Sequence, residues 1–184
     1  MKNFLISIKI TLAFCVILFV GYVLVLWGIS ALVMPNNGRA QVATLYGKVV
    51  GASNVAQQFT SLKYFWPRPS AVNYNGGGSG ASNKGVTNPK YIDEVNVRID
   101  NFLVAHPYLT RIQVPMEMVT TSASGLDPHI SVASAIVQMQ RVAKARSVNI
   151  DDIKQLLEHE QEIPIIGIPV VNVLKLNIAL DKRF

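Results

Sequence analysis

The sequence predicts an α+β protein, with one N-terminal transmembrane helix followed by a single α+β extracytoplasmic domain. Three observations predict this class. The 184 residues are apolar and basic at once, with 50% hydrophobic residues, a mean hydropathy of +0.31 and a formal charge of +6. No charged residue lies between Lys9 and Arg39. The remaining chain combines short β-branched runs with runs of helical period, a pattern typical of an α+β domain.

Residues 10–34 form the predicted transmembrane segment. A hydrocarbon core of roughly 30 Å needs about 20 apolar residues in a helix, and this run is longer. A cleaved signal peptide is the alternative, but its apolar region usually has about 7 to 15 residues. Lys2, Lys9 and the N-terminal amine slightly outweigh Arg39 and Lys48 on the other side. We therefore predict that residues 1–9 are cytoplasmic and that residues 35–184 form a soluble domain outside the cytoplasm, in the periplasm.

The sequence favours neither a disulfide nor a metal site. Cys15 is the only cysteine and lies within the apolar run, so the soluble domain has no thiol to oxidise. His106, His129 and His159 are far apart, and none belongs to an H-E-x-x-H motif. We therefore expect no metal ligands.

Local patterns predict the elements of the soluble domain. They indicate a strand or hairpin at 44–51, a helix over about 89–105 capped by Asn88, an extended edge segment at 111–121, a helix over 128–146 and a helix from Asn149 to about Glu160. The apolar segment 165–180 mixes periods, so strand and helix both remain open. The glycine-serine stretch 75–85 is predicted to be a loop. It satisfies a G-x-G-x-x-A pattern but lacks the strand and helix that a dinucleotide site requires.

The stretch Ser124-Gly-Leu-Asp-Pro-His-Ile-Ser131 looks like an active site, but a helix start explains it more simply. Gly125 allows a turn, Asp127 caps the helix and Pro128 takes the first helical position. His129 would then lie in the first turn and face away from Asp127, which makes a triad with Ser124 geometrically poor. We therefore predict no catalytic residue. A membrane-anchored periplasmic hydrolase using Ser124 and His129 is a remote alternative.

The predicted helix at 128–146 has two stripes. The apolar stripe contains Val132, Ile136, Met139 and Ala143, and the polar stripe contains Ser131, Ser134, Gln138 and Arg141. We expect the apolar stripe to pack into the domain and the polar stripe to meet a partner protein or a nucleotide. An anion site with Ser122 and Ser124 at the helix start is disfavoured by Asp127, although Arg141 or Arg146 could assist from elsewhere.

A second candidate contact surface is the extended stretch Phe65-Trp66-Pro67-Arg68-Pro69-Ser70. Its two prolines fix an extended path for Arg68 between them. The aromatic and guanidinium groups suit a partner surface. An equally good alternative is that the aromatic rings cover the edge of the core while Arg68 is solvated.

These residues closely resemble one family, the C subunit of the Kdp-type potassium-transporting P-type ATPase. The resemblance covers nearly the whole chain in the family's order. Its motifs are Gln57-Gln58-Phe59, Arg68-Pro69-Ser70-Ala71, Ser82-Asn83, Ser122 to Ser131, Gln140-Arg141-Val142-Ala143 with Arg146, and Val171-Asn172-Val173-Leu174 with Leu176-Asn177. Pro67 and Lys84 depart from the usual glycine and leucine at two loop positions.

The resemblance implies a noncatalytic subunit of a potassium uptake complex in the bacterial inner membrane. Its implied partners are a channel-like potassium-binding subunit, a P-type ATPase subunit, a small membrane peptide and the lipid bilayer, with no nucleic acid. The sequence has no D-K-T-G phosphorylation motif and no T-V-G-Y-G potassium filter. One membrane helix cannot by itself enclose an ion path. The chain is therefore expected to be an accessory subunit and not an enzyme.

Two roles within such a complex remain open. In the first, the chain assembles and stabilises the channel-like and ATPase subunits and gates the outer potassium entrance. In the second, implied by the resemblance, it is a catalytic chaperone that binds ATP together with the ATPase subunit and raises its ATP affinity. The candidate partner- or nucleotide-binding residues are Arg68, Ser124, Gly125, Asp127, His129, Gln138, Gln140, Arg141 and Arg146. The first role implies no cofactor, and the second implies ATP.

Overall fold

A computed structural model describes residues 2–184, which form one compact unit up to Gln41 and another from Val42 to Phe184. In the first unit, α1 (Lys2–Cys15), a π-helical segment (Val16–Tyr22) and α2 (Val23–Val33) make one helix. This helix, Lys2–Val33, is long and apolar enough to cross a membrane. It begins ahead of the predicted span 10–34, and a turn at Pro35–Gly38 ends it. The N-terminal amine used in the orientation argument lies outside the described residues.

The second unit opens with a hairpin of β1 (Val42–Leu45) and β2 (Lys48–Ala52), which are antiparallel. Tyr46 and Gly47 connect them with φ of 48° and 77°. Two positive φ values at the centre of a two-residue loop match the twist of the flanking strands. The hairpin predicted at 44–51 is therefore confirmed.

A three-stranded antiparallel sheet forms the second strand layer, in the order β3-β5-β4. Its strands are β3 (His129–Ser131), β4 (Gln161–Glu162) and β5 (Val170–Asn172). The four helices of this unit are α3 (Pro89–Ala105), α4 (Val132–Arg146), α5 (Ile150–Glu160) and α6 (Val173–Arg183). Helix α5 packs against α4 and against α6, and all three helices pack against this sheet. The α+β class of the second unit is therefore confirmed.

Three helices start at asparagine caps. The side chains of Asn88 and Asn149 accept hydrogen bonds from backbone N–H groups two residues later, as the sequence predicts. At the start of α6, the Asn172 side chain accepts from the backbone N–H of Lys175, three residues later, at 3.1 Å. The open segment 165–180 thus becomes a strand followed by a helix.

The core of the second unit lies where α4, α5 and α6 meet the β3-β5-β4 sheet. Its largest fully buried apolar side chains are Phe65, Ile130, Ile153, Leu157, Leu176 and Leu180. Ile153 and Leu157 lie on the buried side of α5. The burial of Phe65 confirms that an aromatic ring of the extended proline-rich stretch covers the core. The removal of these side chains from water supplies most of the driving force for folding.

The prediction of an extended edge segment at 111–121 is wrong. The chain instead forms two 3₁₀ turns, Arg111–Gln113 and Met116–Met118. Thr110 and Gln113 make a capping box, in which the Gln113 Oε1 atom accepts from the Thr110 backbone N–H at 2.8 Å. These local hydrogen bonds satisfy backbone groups that a strand would have to pair with a neighbouring strand.

The predicted start of the helix at 128–146 is also wrong, because α4 begins only at Val132. Residues 129–131 pair with β5, and the Val173 backbone N–H donates to the Pro128 carbonyl at 2.9 Å. Ser131 is the actual cap, with its Oγ atom accepting from the Ser134 N–H at 3.0 Å. Strand pairing with a distant segment therefore displaces the local helix signal of Asp127 and Pro128.

Candidate functional site

The polar stripe of α4 is buried, contrary to the prediction that it faces a partner. Gln138 is 0% exposed and Arg141 is 5% exposed, whereas Ile136 of the predicted apolar stripe is 50% exposed. Ser131 and Ser134 are also buried. Met139 and Ala143 are buried as predicted. The buried face of α4 therefore contains residues from both the apolar and the polar stripe.

Arg141 is the centre of the buried polar cluster. Its Nε atom donates to the His106 Nε2 atom at 2.9 Å, and its Nη2 atom donates to the Gln138 Oε1 atom at 2.9 Å. Its Nη1 atom donates to the carbonyls of Tyr64, at 2.9 Å, and Leu62. Within residues 2–184 no carboxylate forms a salt bridge with this guanidinium. Burial lowers the pKa of Arg141 to about 10, so it stays cationic at neutral pH.

His106 is held as a neutral imidazole beside this cation. Its ring is fully buried, and its Nδ1 atom lies 2.7 Å from the Phe102 carbonyl oxygen. Because its Nε2 atom accepts from Arg141, the proton belongs on Nδ1, where it is donated to that carbonyl. Burial lowers the pKa of His106 to about 4, and the nearby guanidinium acts in the same direction.

Gln138 joins α4 to the proline-rich stretch. Its Oε1 atom accepts from the Trp66 backbone N–H at 2.8 Å, and its Nε2 atom donates to the Trp66 carbonyl at 3.3 Å. The Trp66 ring also covers the guanidinium of Arg141, whose Cζ atom lies 4.4 Å from the ring centroid. These contacts give Gln138, Arg141 and Trp66 a role in holding the fold together.

Gln140 and Lys144 lie on the exposed side of α4, at the edge of a groove of about 890 Å³. Arg141, Trp66 and Tyr108 also line it. The groove is therefore basic and partly aromatic, which suits a ligand that combines an anionic group with a planar ring, such as a nucleotide. Most of Arg141 faces inward, because four of its five N–H groups have acceptors within the described chain.

Asp127 and His129 are side-chain neighbours, contrary to the prediction that they point apart. The His129 Nδ1 atom lies 3.5 Å from Asp127 Oδ1, and its Nε2 atom lies 3.7 Å from Glu162 Oε2. Arg68 Nη1 is 3.4 Å from Asp127 Oδ2. His129, aided by Arg68, holds the pKa of Asp127 below its usual range. Asp127 also accepts from the His129 backbone N–H at 3.0 Å, so it closes a turn instead of capping a helix.

Ser124 lies in a shallow cleft of about 450 Å³, which Arg68 and Asp127 also line. Its Oγ atom accepts from the Leu126 backbone N–H at 3.1 Å. No hydrogen bond joins it to His129 among the described residues. The structure thus brings together Arg68, Asp127 and His129 but makes no Ser124–His129 nucleophile pair. The paired Asp127 carboxylate also disfavours anion binding in this cleft.

Gly125 is required where it stands, beside this cleft. Its φ is +69°, and an added Cβ would lie 2.7 Å from Val72 Cγ2 and 2.8 Å from the Gly80 carbonyl oxygen. We expect Gly125→Ala to lower the free energy of unfolding by about 1–3 kcal/mol through backbone strain and this clash. Urea unfolding of the full chain in detergent measures it. Gly78→Ala is the control, since its Cβ meets nothing within 4 Å, and equal stability of the two variants would contradict the prediction.

Arg146 binds within the fold and not at its surface. Its Nη2 atom lies 2.6 Å from Asp181 Oδ1, and its Nε atom donates to the Lys63 carbonyl at 2.8 Å. Tyr64 donates from its hydroxyl to Asp181 Oδ2 at 2.7 Å. Arg146 and Asp181 therefore clamp the end of α4 to α6 and to the segment before Phe65.

Three central residues were missed by sequence reasoning. His106 carries no sequence signal beyond its place at the end of α3. Asn172 donates to the Ser53 carbonyl at 2.7 Å, and Asn177 binds both the N–H and the carbonyl of Phe65, at 2.8 and 3.0 Å. The terminal V-N-V-L-x-L-N motif contained both asparagines, so it could have indicated them as buried links.

Metal binding finds no support in the geometry of residues 2–184. Among them, no group of three or more His, Cys, Asp or Glu side chains is placed to hold a metal ion.

Comparison with known proteins identifies what the chain resembles over its whole length. The sequence model of a family described as "KdpC: K+-transporting ATPase, c chain" matches residues 4–182. A "Potassium-transporting ATPase KdpC subunit" of Bacteroides fragilis is 55% identical, over 99% of this chain and 98% of its own length. The protein of the same description from Bacteroides thetaiotaomicron is 53% identical over all of both chains. That from Caldanaerobacter subterraneus is 40% identical over 95% and 92%.

Proposed function

The chain belongs to the KdpC family and is thus a component of the potassium uptake complex, and we propose that it is a noncatalytic subunit that assembles and stabilises this complex. In this proposal the helix Lys2–Val33 fastens the chain among the membrane subunits. The domain lies outside the cytoplasm, over the outer entrance of the channel-like subunit, where it gates potassium entry.

The observation that carries the proposal is that the polar stripe of α4 points into the domain and makes hydrogen bonds there. A binding module keeps its recognition groups at the surface, whereas Gln138 and Arg141 are buried and hydrogen-bonded to Trp66, His106 and backbone carbonyls. These two candidates for nucleotide binding, Gln138 and Arg141, are thus already engaged by the fold. Contact with partners is left to the membrane helix and to the exposed surface of the domain.

The helix supports the anchoring role by its exposed apolar surface. None of its most apolar window is buried within the chain, and its mean hydropathy is 2.7. Such a surface requires lipid or the helices of other subunits around it. Lys2 and Lys9, which precede the uncharged apolar run that starts at Ile10, favour a cytoplasmic N-terminus.

A catalytic chaperone that binds ATP with the ATPase subunit is the second candidate. The observation that favours it is the groove of about 890 Å³, where Lys144 and Arg141 supply positive charge beside Trp66 and Tyr108. Gln140 lies at the same edge and could bind a base or a ribose. The two candidates need the domain on opposite sides of the membrane, because ATP is cytoplasmic. A reporter enzyme fused after Phe184 therefore separates them.

A periplasmic hydrolase using Ser124 and His129 is not proposed. Ser124 accepts a hydrogen bond from Leu126, and His129 lies between Asp127 and Glu162. No described contact places the imidazole where it could take a proton from the hydroxyl.

A further inference from the structure

The loop between β4 and β5, residues 163–169, is an apolar projection, which we call the isoleucine loop. It reads Ile-Pro-Ile-Ile-Gly-Ile-Pro, and its four isoleucines are 62% to 104% exposed. No charged residue lies between Glu162 and Lys175. A soluble surface rarely leaves adjacent apolar side chains uncovered unless they meet something.

The base of the isoleucine loop is fixed. Glu162 pairs with Val170 in the ladder of β4 and β5, and the Pro169 carbonyl accepts from the Val132 N–H at 3.0 Å. Prolines at both ends restrict the backbone, and Gly167 turns it with φ of +118°. A loop held in this way loses little conformational freedom when it docks.

The isoleucine loop suits a protein better than the bilayer. Within residues 2–184, no backbone N–H or C=O of residues 163–168 makes a hydrogen bond. Hydrocarbon cannot satisfy these groups, whereas a protein cleft can. The loop also lacks the tryptophan, tyrosine, lysine and arginine that anchor segments at a lipid surface, and the acidic Glu162 lies at its base.

A second copy of this chain is a poor fit by size. A stable dimer buries roughly 800 Å² per partner, and four isoleucine side chains reach only part of that area. Within a complex that a membrane helix already holds together, a small contact is enough, because the effective concentration is high.

We propose that the isoleucine loop docks into an apolar cleft with unpaired backbone donors and acceptors on another protein subunit of the same transporter. This inference rests on the proposed assembly role. The isoleucines supply the buried apolar contact, and hydrogen bonds from the backbone of the loop fix its orientation in the cleft.

The test compares two double variants of the full chain in the complete complex. Ile165→Ser with Ile166→Ser changes the loop, and Val86→Ser with Ile112→Ser changes equally exposed apolar residues elsewhere. The complex is captured through a tag on another subunit, and the rate at which this chain dissociates is measured. We expect the loop variant to dissociate at least about tenfold faster than wild type and the control variant to match wild type.

The outcomes separate the inference from the proposed function. Equal dissociation rates for both variants overturn the docking role of the loop but leave the assembly role intact. Failure to recover the wild-type chain with the other subunits overturns both. In a Cys15→Ser background, the Ile166→Cys thiol alkylated with a photoactivatable maleimide should cross-link to another subunit on illumination. Cross-linking only to a second copy, or labelling only by a lipid-soluble probe, overturns the inference.

Discussion

Replacing Arg141 with methionine should lower the free energy of unfolding by about 3–5 kcal/mol. Methionine fills similar space but leaves the acceptors on His106, Tyr64 and Leu62 without their donor. The Oε1 atom of Gln138 keeps the Trp66 backbone N–H as its donor. A buried acceptor without a partner costs about 1–3 kcal/mol. Part of the summed cost is offset because methionine, unlike arginine, buries no charge. Urea unfolding of the full chain in detergent gives the difference.

Lys144→Met is the matched control for this change, because Lys144 is an exposed cation on the same helix. We expect it to alter the free energy of unfolding by less than about 0.5 kcal/mol. Arg141→Lys should be nearly as damaging as Arg141→Met, since a lysine ammonium cannot reach acceptors in the fork geometry of a guanidinium. If Arg141→Met were as stable as Lys144→Met, the buried cluster would not hold the fold together.

Acidification should destabilise the domain through His106. Its folded pKa is about 4, whereas an unperturbed histidine has a pKa of about 6.5. The unfolded state therefore takes up a proton first, so the stability due to the neutral imidazole is complete above about pH 6.5 and is lost as the pH falls toward 4. The slope is about 1.4 kcal/mol per pH unit, or about 3 kcal/mol over the whole window.

The measurement is the free energy of unfolding of the full chain at pH 7, 6 and 5. His106→Gln should flatten this slope, whereas His159→Gln, which removes an exposed imidazole, should leave it unchanged. Asp127 does not interfere with this measurement. The stability that its lowered pKa contributes is fully present above the pKa of the unfolded carboxyl group, and it is lost only as the pH falls near or below about 4. A wild-type slope unchanged by His106→Gln would contradict the assignment.

The sequence predicted well those features that depend on neighbouring residues. Asn88 and Asn149 cap their helices, and the hairpin turns at Tyr46 and Gly47, because each needs only a few adjacent backbone groups. Asp127 and Pro128 carried an equally good local signal, yet no helix starts there. The pairing of residues 129–131 with β5, about forty residues later, could not be seen in the local pattern.

The candidate site was harder to predict for the same reason. Helical spacing correctly grouped Gln138 with Arg141 on one stripe, but periodicity does not reveal which stripe is buried. The stripe is buried because Trp66, His106 and two backbone carbonyls, all distant in sequence, supply its hydrogen-bond partners. A buried charge is acceptable only when such partners are present, and one sequence does not show them.

We propose that the domain lies outside the cytoplasm and works by contact with other subunits, and its side of the membrane is the most direct test. A reporter enzyme that is active only outside the cytoplasm is fused after Phe184, and a reporter active only inside is fused at the same residue in a second strain. We expect activity from the first fusion and none from the second. Activity from the cytoplasmic reporter alone would contradict a domain outside the cytoplasm and favour the ATP-binding role.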